Sequence, residues 1–288
     1  MLALSVCLAL LAAVGNAAAS VLQRRAAADA GAAGTAVRGW WPGLVRRRVW
    51  VWGAAMLGLS GVLQALALAT GPLAVVQPVM STELLFTLVL GGLVFRRNPD
   101  RRTWWAFGVM AAGLAAFLAL AEPSGGRATV PAADWLRAGV VIGAAAAGLV
   151  AVALRLPPAP RAAVLGTATA MGFSATAALL KDALGRAQEG VGAVFGGWQP
   201  YAALAVGLAS FLLLQVTFRA GTLAASQPAL TLGDALLSVV LGVWLFDERV
   251  VVGARGVFEA VAVAALVAAC VELARSPLVT GGDGEGTW

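Results

Sequence analysis

Two acidic residues, Glu83 and Asp234, stand inside long apolar runs of this 288-residue chain. An ionised carboxylate in hydrocarbon or in a dry protein core is costly unless a nearby group stabilises it, so acids in such places commonly bind a cation or exchange a proton. Helix packing is the alternative use, because a protonated or hydrogen-bonded carboxyl group can also join two helices. The chemistry open to the chain begins with these two carboxylates.

The sequence offers little material for other chemistry. Histidine is absent, and the two cysteines, Cys7 and Cys270, each lie in an apolar stretch. The chain therefore has no His/Cys metal cluster, no Ser-His or Cys-His nucleophile pair and no disulfide framework. We expect a protein that is not an enzyme and needs no cofactor, and whose chemistry comes from amides, hydroxyls and carboxylates.

Composition indicates the medium in which the chain folds. It is 60% hydrophobic and 12% charged, which is too apolar to cover a water-soluble globule. We expect an integral membrane protein with the lipid bilayer as its surroundings. The net charge of +6 comes almost wholly from arginines in short loops, where membrane topology explains them better than a nucleic-acid partner does.

Apolar runs near the 20 residues that span a bilayer predict an all-α polytopic membrane protein. Nine such runs are present: 2–22, 50–70, 73–95, 103–121, 135–154, 162–180, 199–218, 223–245 and 255–274. The first run could also be a cleaved signal peptide, but its first charges, Arg24 and Arg25, follow the apolar stretch instead of preceding it, which favours a transmembrane helix. The Gly-rich tail, 275–288, is predicted to be disordered and cytoplasmic.

Arginine placement predicts the orientation of the chain. With the N-terminus outside, the inner loops and C-terminus hold fourteen positive residues and the outer loops hold six. Such an excess favours the cytoplasmic side, so we expect a multi-pass protein of the cytoplasmic membrane with N-out and C-in topology. Tryptophans at run ends fit an interfacial belt; they are Trp50, Trp104, Trp105, Trp135 and Trp198.

An internal repeat divides the chain. The segment Gly71 to Phe95 aligns with Gly221 to Leu245 at an offset of 150, and both carry a Gln-Pro step. The match predicts a first repeat of helices 1–4 (residues 1–121), a linking helix 5 with its loops (122–161) and a second repeat of helices 6–9 (162–274). Equivalent helices are five apart and cross in opposite directions, which makes the repeat inverted, as in many secondary transporters.

These features resemble the drug/metabolite transporter superfamily with its EamA-type repeats. The resemblance rests on the Gln-Pro opening of helices 3 and 8, on "LFDER" (Leu245 to Arg249) and on the paired four-helix units. Nine helices, the long basic first loop and "FSATAALLKDALG" (Phe173 to Gly185) most resemble bacterial relatives of the NIPA-type magnesium transporters. The first repeat departs from the pattern, with "RRNPD" (Arg96 to Asp100) in place of the acidic step. The resemblance implies a polytopic transporter without naming its substrate.

Glu83 and Asp234 lie about ten and eleven residues into helices 3 and 8, which a rise of roughly 1.5 Å per residue places at the bilayer midplane. They are one position from strict repeat equivalence. We predict a central site for a small solute or cation, with these two acids as the metal ligands if the cation is a metal. Six further polar residues could contact a substrate or join helices: Asn16, Gln64, Gln77, Ser174, Gln215 and Gln227.

Two classes of function remain open. The first is a secondary carrier, either of a divalent cation such as Mg²⁺ or of a metabolite or drug exported in exchange for protons. The second is a non-transporting membrane assembly protein whose polar residues only join helices. The repeat favours the carrier, because packing alone does not require two inverted halves. A homodimer is compatible with either class.

Overall fold

The computed structural model describes residues 2–32, 48–95, 126–220 and 223–249, together with eight residues between 101 and 116. Across these residues the chain is almost entirely α-helical. The α-helices are α1 Leu2–Ala32, α2 Arg48–Thr70, α3 Leu73–Met80, α4 Glu83–Phe95, α5 Ala132–Ala153, α6 Pro158–Gly185, α7 Val191–Gly196, α8 Gln199–Ala220 and α9 Leu223–Phe246.

Six helical segments in the described part of the chain are long and apolar enough to cross a membrane, which is what the composition predicts for a helical membrane protein. They lie in α1, α2, α3 with α4, α5, α6 and α9, and α8 has a shorter apolar stretch, Gln199–Leu214. Seven of the nine predicted runs therefore coincide with helices. Of the other two, run 103–121 is described only at scattered helical residues, and run 255–274 and the tail 275–288 lie outside the described residues.

The predicted single helix 73–95 is interrupted in the structure. Helix α3 ends at Met80 and α4 begins at Glu83, with Pro78 inside α3. Pro78 has no N–H to donate to the preceding turn. The hydroxyls of Ser81 and Thr82 donate to the carbonyl oxygens of Pro78 and Val79, at 2.6 and 2.7 Å, and the Thr82 N–H bonds three residues back, to Val79, in a tighter turn than an α-helix has. The interruption places Glu83 in the first turn of a half-helix.

The helices pack in two groups. Helix α1 contacts α2, α3 and α4, whereas α6 contacts α5, α8 and α9. The groups meet where α3 contacts α9 and where α2 contacts α6. Alanine supplies much of the buried surface, including the fully buried Ala9, Ala12, Ala13 and Ala178. Such small side chains allow close helix approach in lipid, where no hydrophobic effect drives the helices together.

Helix directions follow from pairs of facing residues. Gly71, just before α3, lies against Ser5 near the start of α1, and Gly91 of α4 faces Val21 further along α1. These two facing pairs show that α1 and the α3–α4 segment run in the same direction.

In the second group, Gly166 near the start of α6 faces Ser226 near the start of α9, so these two helices are also parallel. Helix α3 starts beside Glu248, just after the end of α9. The two pairs of helices, α1 with α3–α4 and α6 with α9, therefore run in opposite directions. We call the side where α3 begins and α6 and α9 end the Lys181 end.

Candidate functional site

Glu83 receives a hydrogen bond from the first helix of its own group. It is partly buried at the start of α4, and Asn16 of α1 donates from Nδ2 to Glu83 Oε2 at 2.5 Å. The N-terminus of a helix carries a partial positive charge that stabilises a carboxylate. The interrupted helix and the Asn16 amide therefore both stabilise a negative charge in the middle of a membrane span.

Asp234 has a similar environment in the second group. It is partly buried in the middle of α9, and Ser174 of α6 is fully buried beside it. The Ser174 hydroxyl lies 2.8 Å from Asp234 Oδ1 and 3.0 Å from the Asp234 carbonyl oxygen. In both groups, a polar side chain on the helix that contacts the others of its group, α1 or α6, therefore contacts the acid in a helix that runs parallel to it.

Glu83 lies in the first group of helices and Asp234 in the second, each inside an apolar helix. Coulombic repulsion between like charges is large in a medium of low dielectric constant, so two ionised acids at this depth favour a bound cation or a shared proton. One turn along α9, the hydroxyl of Ser238 is fully buried and has no hydrogen-bond partner among the described residues. Its unused hydrogen-bonding capacity is available to a solute held near Asp234.

The other predicted polar residues lie at different depths along the helices, or their side chains are outside the part of the chain that the structure describes. Gln77 is buried on α3, about two turns nearer the Lys181 end than Glu83, which is roughly 9 Å at the helical rise. Gln64 is partly buried on α2, one turn beyond Ser60. The side chains of Gln215 and Gln227 fall outside the described residues. The contacts thus form two pairs, Asn16 with Glu83 and Ser174 with Asp234.

A second polar cluster lies at the Lys181 end. The carboxylate of Glu248, fully buried, accepts hydrogen bonds from the backbone N–H groups of Leu73 and Ala74 at 2.7 and 2.9 Å. It also pairs with Lys181 Nζ at 2.8 Å. Lys181 Nζ donates in turn to the carbonyl oxygen of Gly71 at 2.9 Å. We call Lys181, Glu248 and residues 71–74 the junction, because they connect the two groups of helices.

The junction corrects one expectation from the sequence. Lys181 directly follows the apolar run 162–180, and a lysine there can extend to the membrane interface, but its side chain is only 11% exposed. It lies over the ring of Phe246, 5.1 Å from the ring centroid, which adds a cation–π contact to the ion pair. The local sequence gives no signal for this pairing, because the partner carboxylate is 67 residues further along the chain.

The chain turns back sharply to bring Glu248 inside. Helix α9 ends at Phe246, and Asp247 adopts φ +53°, a left-handed conformation that Asp tolerates better than most residues. The Glu248 amide then donates to the Gly242 carbonyl at 3.1 Å, which folds the chain back against the helix end. A side chain at Gly126, whose φ is +102°, would meet the Phe246 carbonyl at 2.9 Å, so glycine permits the loop before α5 to cross closely here.

That crossing loop is itself held by charged groups. Arg127 donates through its backbone N–H to the Phe246 carbonyl and through Nε to the Leu245 carbonyl, both at 2.6 Å, and so caps the end of α9. Its guanidinium also pairs with Asp134 at 2.9 Å and with Asp247 at 3.3 Å. The end of α9 is therefore covered by a loop tied to α5.

One predicted interfacial tryptophan is buried instead. Trp135 is 6% exposed, donates from Nε1 to Asp182 at 2.7 Å and packs edge-on against Trp198. Asp182, fully buried, also accepts the Val130 N–H at 3.0 Å. These contacts attach α5 and its preceding loop to α6 next to the junction. Trp198 is 44% exposed and matches the expectation of a surface aromatic.

Comparisons with known proteins give limited guidance. No protein-family model matches the chain, and no solved structure matches it. The chain is similar to an uncharacterized protein of Corynebacterium glutamicum, with 27% identity over 239 residues that cover 82% of this chain and 82% of that protein. The similarity extends over most of both sequences and is to a protein without a described activity, so functional inference rests on the site geometry.

Proposed function

We propose that the protein is a secondary membrane transporter that binds a small cationic solute, a divalent cation or a proton between Glu83 and Asp234 and moves it by alternating access. The observation that carries the proposal is the pair of acids inside apolar helices, one in each group, each hydrogen-bonded by a polar side chain of the helix that the others of its group contact, α1 or α6. Ionisable groups inside a membrane are costly and mark ion or substrate pathways by default.

Helix directions support a carrier over an assembly protein. The α1 and α3–α4 segments of the first group are parallel, the α6 and α9 helices of the second group are parallel, and the two sets run oppositely. That arrangement fits the proposed inverted repeat, in which 1–121 and 162–274 exchange conformations around a central site. The half-helix that begins at Glu83 fits it as well, since interrupted helices line binding sites in transporters.

The resemblance to the drug/metabolite transporter superfamily fits this proposal, with N-out and C-in topology in the cytoplasmic membrane. The described residues contain no cluster of three or more His, Cys, Asp or Glu side chains that could hold a metal ion. Two carboxylates alone suit a proton, an organic cation or a Mg²⁺ ion that keeps several of its waters. Within the carrier class we therefore propose a cation or a proton as the species that neutralises the site.

The proposal can be tested with purified full-length protein and two neutral, nearly isosteric variants, Glu83→Gln and Asp234→Asn. A thermal-shift screen against MgCl₂, other divalent chlorides and organic cations identifies a ligand, because binding to the folded state raises its stability. Proteoliposomes with an internal pH dye then report ligand-driven proton movement. Glu189→Gln is the matched control, since it removes an exposed carboxylate far from the site.

We expect both site variants to fold and to lose most of the ligand-induced thermal shift and flux, while Glu189→Gln behaves like the parent. Isosteric neutral side chains preserve shape and hydrogen bonding, so a role limited to packing would survive them. Parental flux in both site variants would show that the acids serve packing and would favour a non-transporting membrane protein.

A further inference from the structure

The junction at the Lys181 end joins the two groups of helices through a single carboxylate. Glu248 follows α9 of the second group, and the amides it binds, those of Leu73 and Ala74, open α3 of the first group. Lys181 of α6 also connects the groups, this time as a donor. Its ammonium group donates to the Gly71 carbonyl of the first group and pairs with Glu248. The first group therefore contributes two amides and a carbonyl, and the second group contributes the carboxylate and the ammonium group that bind them.

The charged side chains of the junction are buried. The Glu248 side chain is fully buried and that of Lys181 is 11% exposed. Three hydrogen-bond donors surround the carboxylate: two amides at the positive end of α3 and one ammonium group. Breaking this cluster without water would leave a buried charge unpaired, whereas breaking it together with entry of water would not. The cluster therefore has two acceptable states, closed and dry or open and hydrated.

The junction lies on the same helices as the central acids. The α3–α4 segment that begins at the junction continues to Glu83, and the α9 helix that ends there carries Asp234. Any relative movement of the two groups that opens the central site toward the Lys181 end must pull the α3 N-terminus away from Glu248. Arg127, which caps α9 from the crossing loop, covers the same end.

We infer that the junction is the gate at the Lys181 end of the transport pathway and that this structure shows it closed. The inference rests on the proposed transport function and adds to it the contacts that control access from one side. Opening transfers Lys181 and Glu248 to water and exposes the first amides of α3. Closing excludes water again and leaves the central site reachable only from the opposite end.

A buried reporter next to the gate tests this inference. Ala74 is fully buried, and its amide binds Glu248. In full-length protein with Cys7→Ser and Cys270→Ser, an Ala74→Cys reporter is labelled with a membrane-impermeant maleimide in intact cells and in inside-out vesicles. A separate Glu189→Cys variant shows which preparation exposes the Lys181 end, since Glu189 is exposed just beyond α6.

Gate variants are chosen to remain folded. Lys181→Met with Glu248→Gln removes both charges together, so neither is left buried alone. Glu248→Asp keeps the charge and shortens the side chain by one methylene. It replaces the double variant in the labelling experiment if the double variant melts well below the parent. We expect Ala74→Cys to react slowly from the Lys181 end in the parent, at least tenfold faster in the double variant and several-fold faster with Glu248→Asp.

A second labelling experiment distinguishes a gate that opens during transport from a static contact. Neutralising the central acids with Glu83→Gln and Asp234→Asn is expected to change the reporter's labelling rate at least threefold, because a carrier couples its central charge to its gates. Glu189→Gln should leave the rate unchanged. Folded gate variants that label at the parental rate, or central variants that leave the rate unaltered, would overturn the gate. Parental flux in the central variants would instead overturn the transport proposal itself, and the gate with it.

Discussion

The hydrogen bonds to the two mid-span acids differ in chemistry although their positions are similar. Asn16 contributes an amide nitrogen, which can only donate, whereas Ser174 contributes a hydroxyl, which can donate or accept. Glu83 lies in the first turn of a half-helix, while Asp234 lies within an unbroken helix. The acids of the proposed site therefore have unequal surroundings, and a ligand between them meets two different partners.

The strength of these contacts can be measured with double-mutant cycles. We expect the Asn16→Ala and Glu83→Ala cycle, and the Ser174→Ala and Asp234→Ala cycle, each to give a coupling of about 1–2 kcal/mol in the free energy of unfolding in micelles. That exceeds the average of about 0.6 kcal/mol for interhelical hydrogen bonds in membranes, because one partner is a charged group.

Ser60→Ala provides the comparison, since the Ser60 hydroxyl donates at 2.7 Å to a neutral carbonyl, that of Ala12. Its removal should lower stability by about 0.5–1 kcal/mol. Coupling energies near zero in both cycles would show that the two polar contacts do not stabilise the carboxylates, and would weaken the assignment of a shared site.

A functional residue can be predicted from the sequence when its type is unusual for its surroundings, and it cannot when its type is common there. The apolar runs around Glu83 and Asp234 make both acids conspicuous in the sequence, and Asn16 and Ser174 are candidates for the same reason. Glu248 lies in a short charged stretch, "DER", whose composition is typical of a loop. Only the left-handed Asp247 turns it inward, and a backbone angle of that kind leaves no mark in local composition.

Among the helices, the Gln-Pro step leads to different structures in the two groups. Helix α3 ends two residues after Pro78, whereas α9 continues without interruption from Leu223 to Phe246 through Pro228. The first group has Ser81 and Thr82 after the step, whose hydroxyls bind nearby carbonyls, and the second has Thr231 and Leu232 at the aligned positions. Proline alone therefore does not predict the interruption, whereas the apolar runs place most of the helices correctly.

Close contact between α6 and α9 depends on glycine. A Cβ at Gly166 would lie 2.9 Å from the Ser226 carbonyl oxygen, a backbone atom that cannot rotate away. We expect Gly166→Ala to lower the free energy of unfolding by about 1–3 kcal/mol, as overpacking does in cores. The change should also slow any ligand-driven flux, because α6 and α9 carry Ser174 and Asp234.

Gly139 of α5 is the matched control. It is also helical, but a Cβ there meets nothing within 4 Å. Gly139→Ala should be neutral or stabilising by up to about 1 kcal/mol, because alanine has the higher helix propensity. Denaturation of both variants in the same micelles checks the comparison, and equal effects would mean that the α6–α9 contact is looser than the structure shows.

At the scale of the whole molecule, the two groups of helices are oppositely directed and meet along α3 and α9. Helix α6 crosses from one face to the other, so the loop at Arg155 and the turn at Glu189 lie at opposite ends of it. As a membrane span, α6 would place the two positions on opposite sides, and the distribution of arginines predicts which side each one faces.

Cysteine labelling of intact cells tests that orientation in the Cys7→Ser, Cys270→Ser background. We expect a cysteine at Glu189 to react with an impermeant reagent and a cysteine at Arg155 to react only after the membrane is permeabilised, because fourteen positive residues fall on the Arg155 side and six on the other. The reverse pattern would invert the topology, and labelling of both positions in sealed cells would mean that α6 does not span the membrane.

The position of Glu248 also bears on how the protein is made. The backbone N–H of Leu73, the first residue of α3, donates to the carboxylate of Glu248, which lies 175 residues further along the chain. At about 5–20 residues per second, synthesis reaches that carboxylate roughly 10–35 s after α3 emerges. Until then the first amides of α3 lack the carboxylate that accepts their hydrogen bonds in the folded protein. A chain truncated within α9 would therefore lack the group that caps the start of α3.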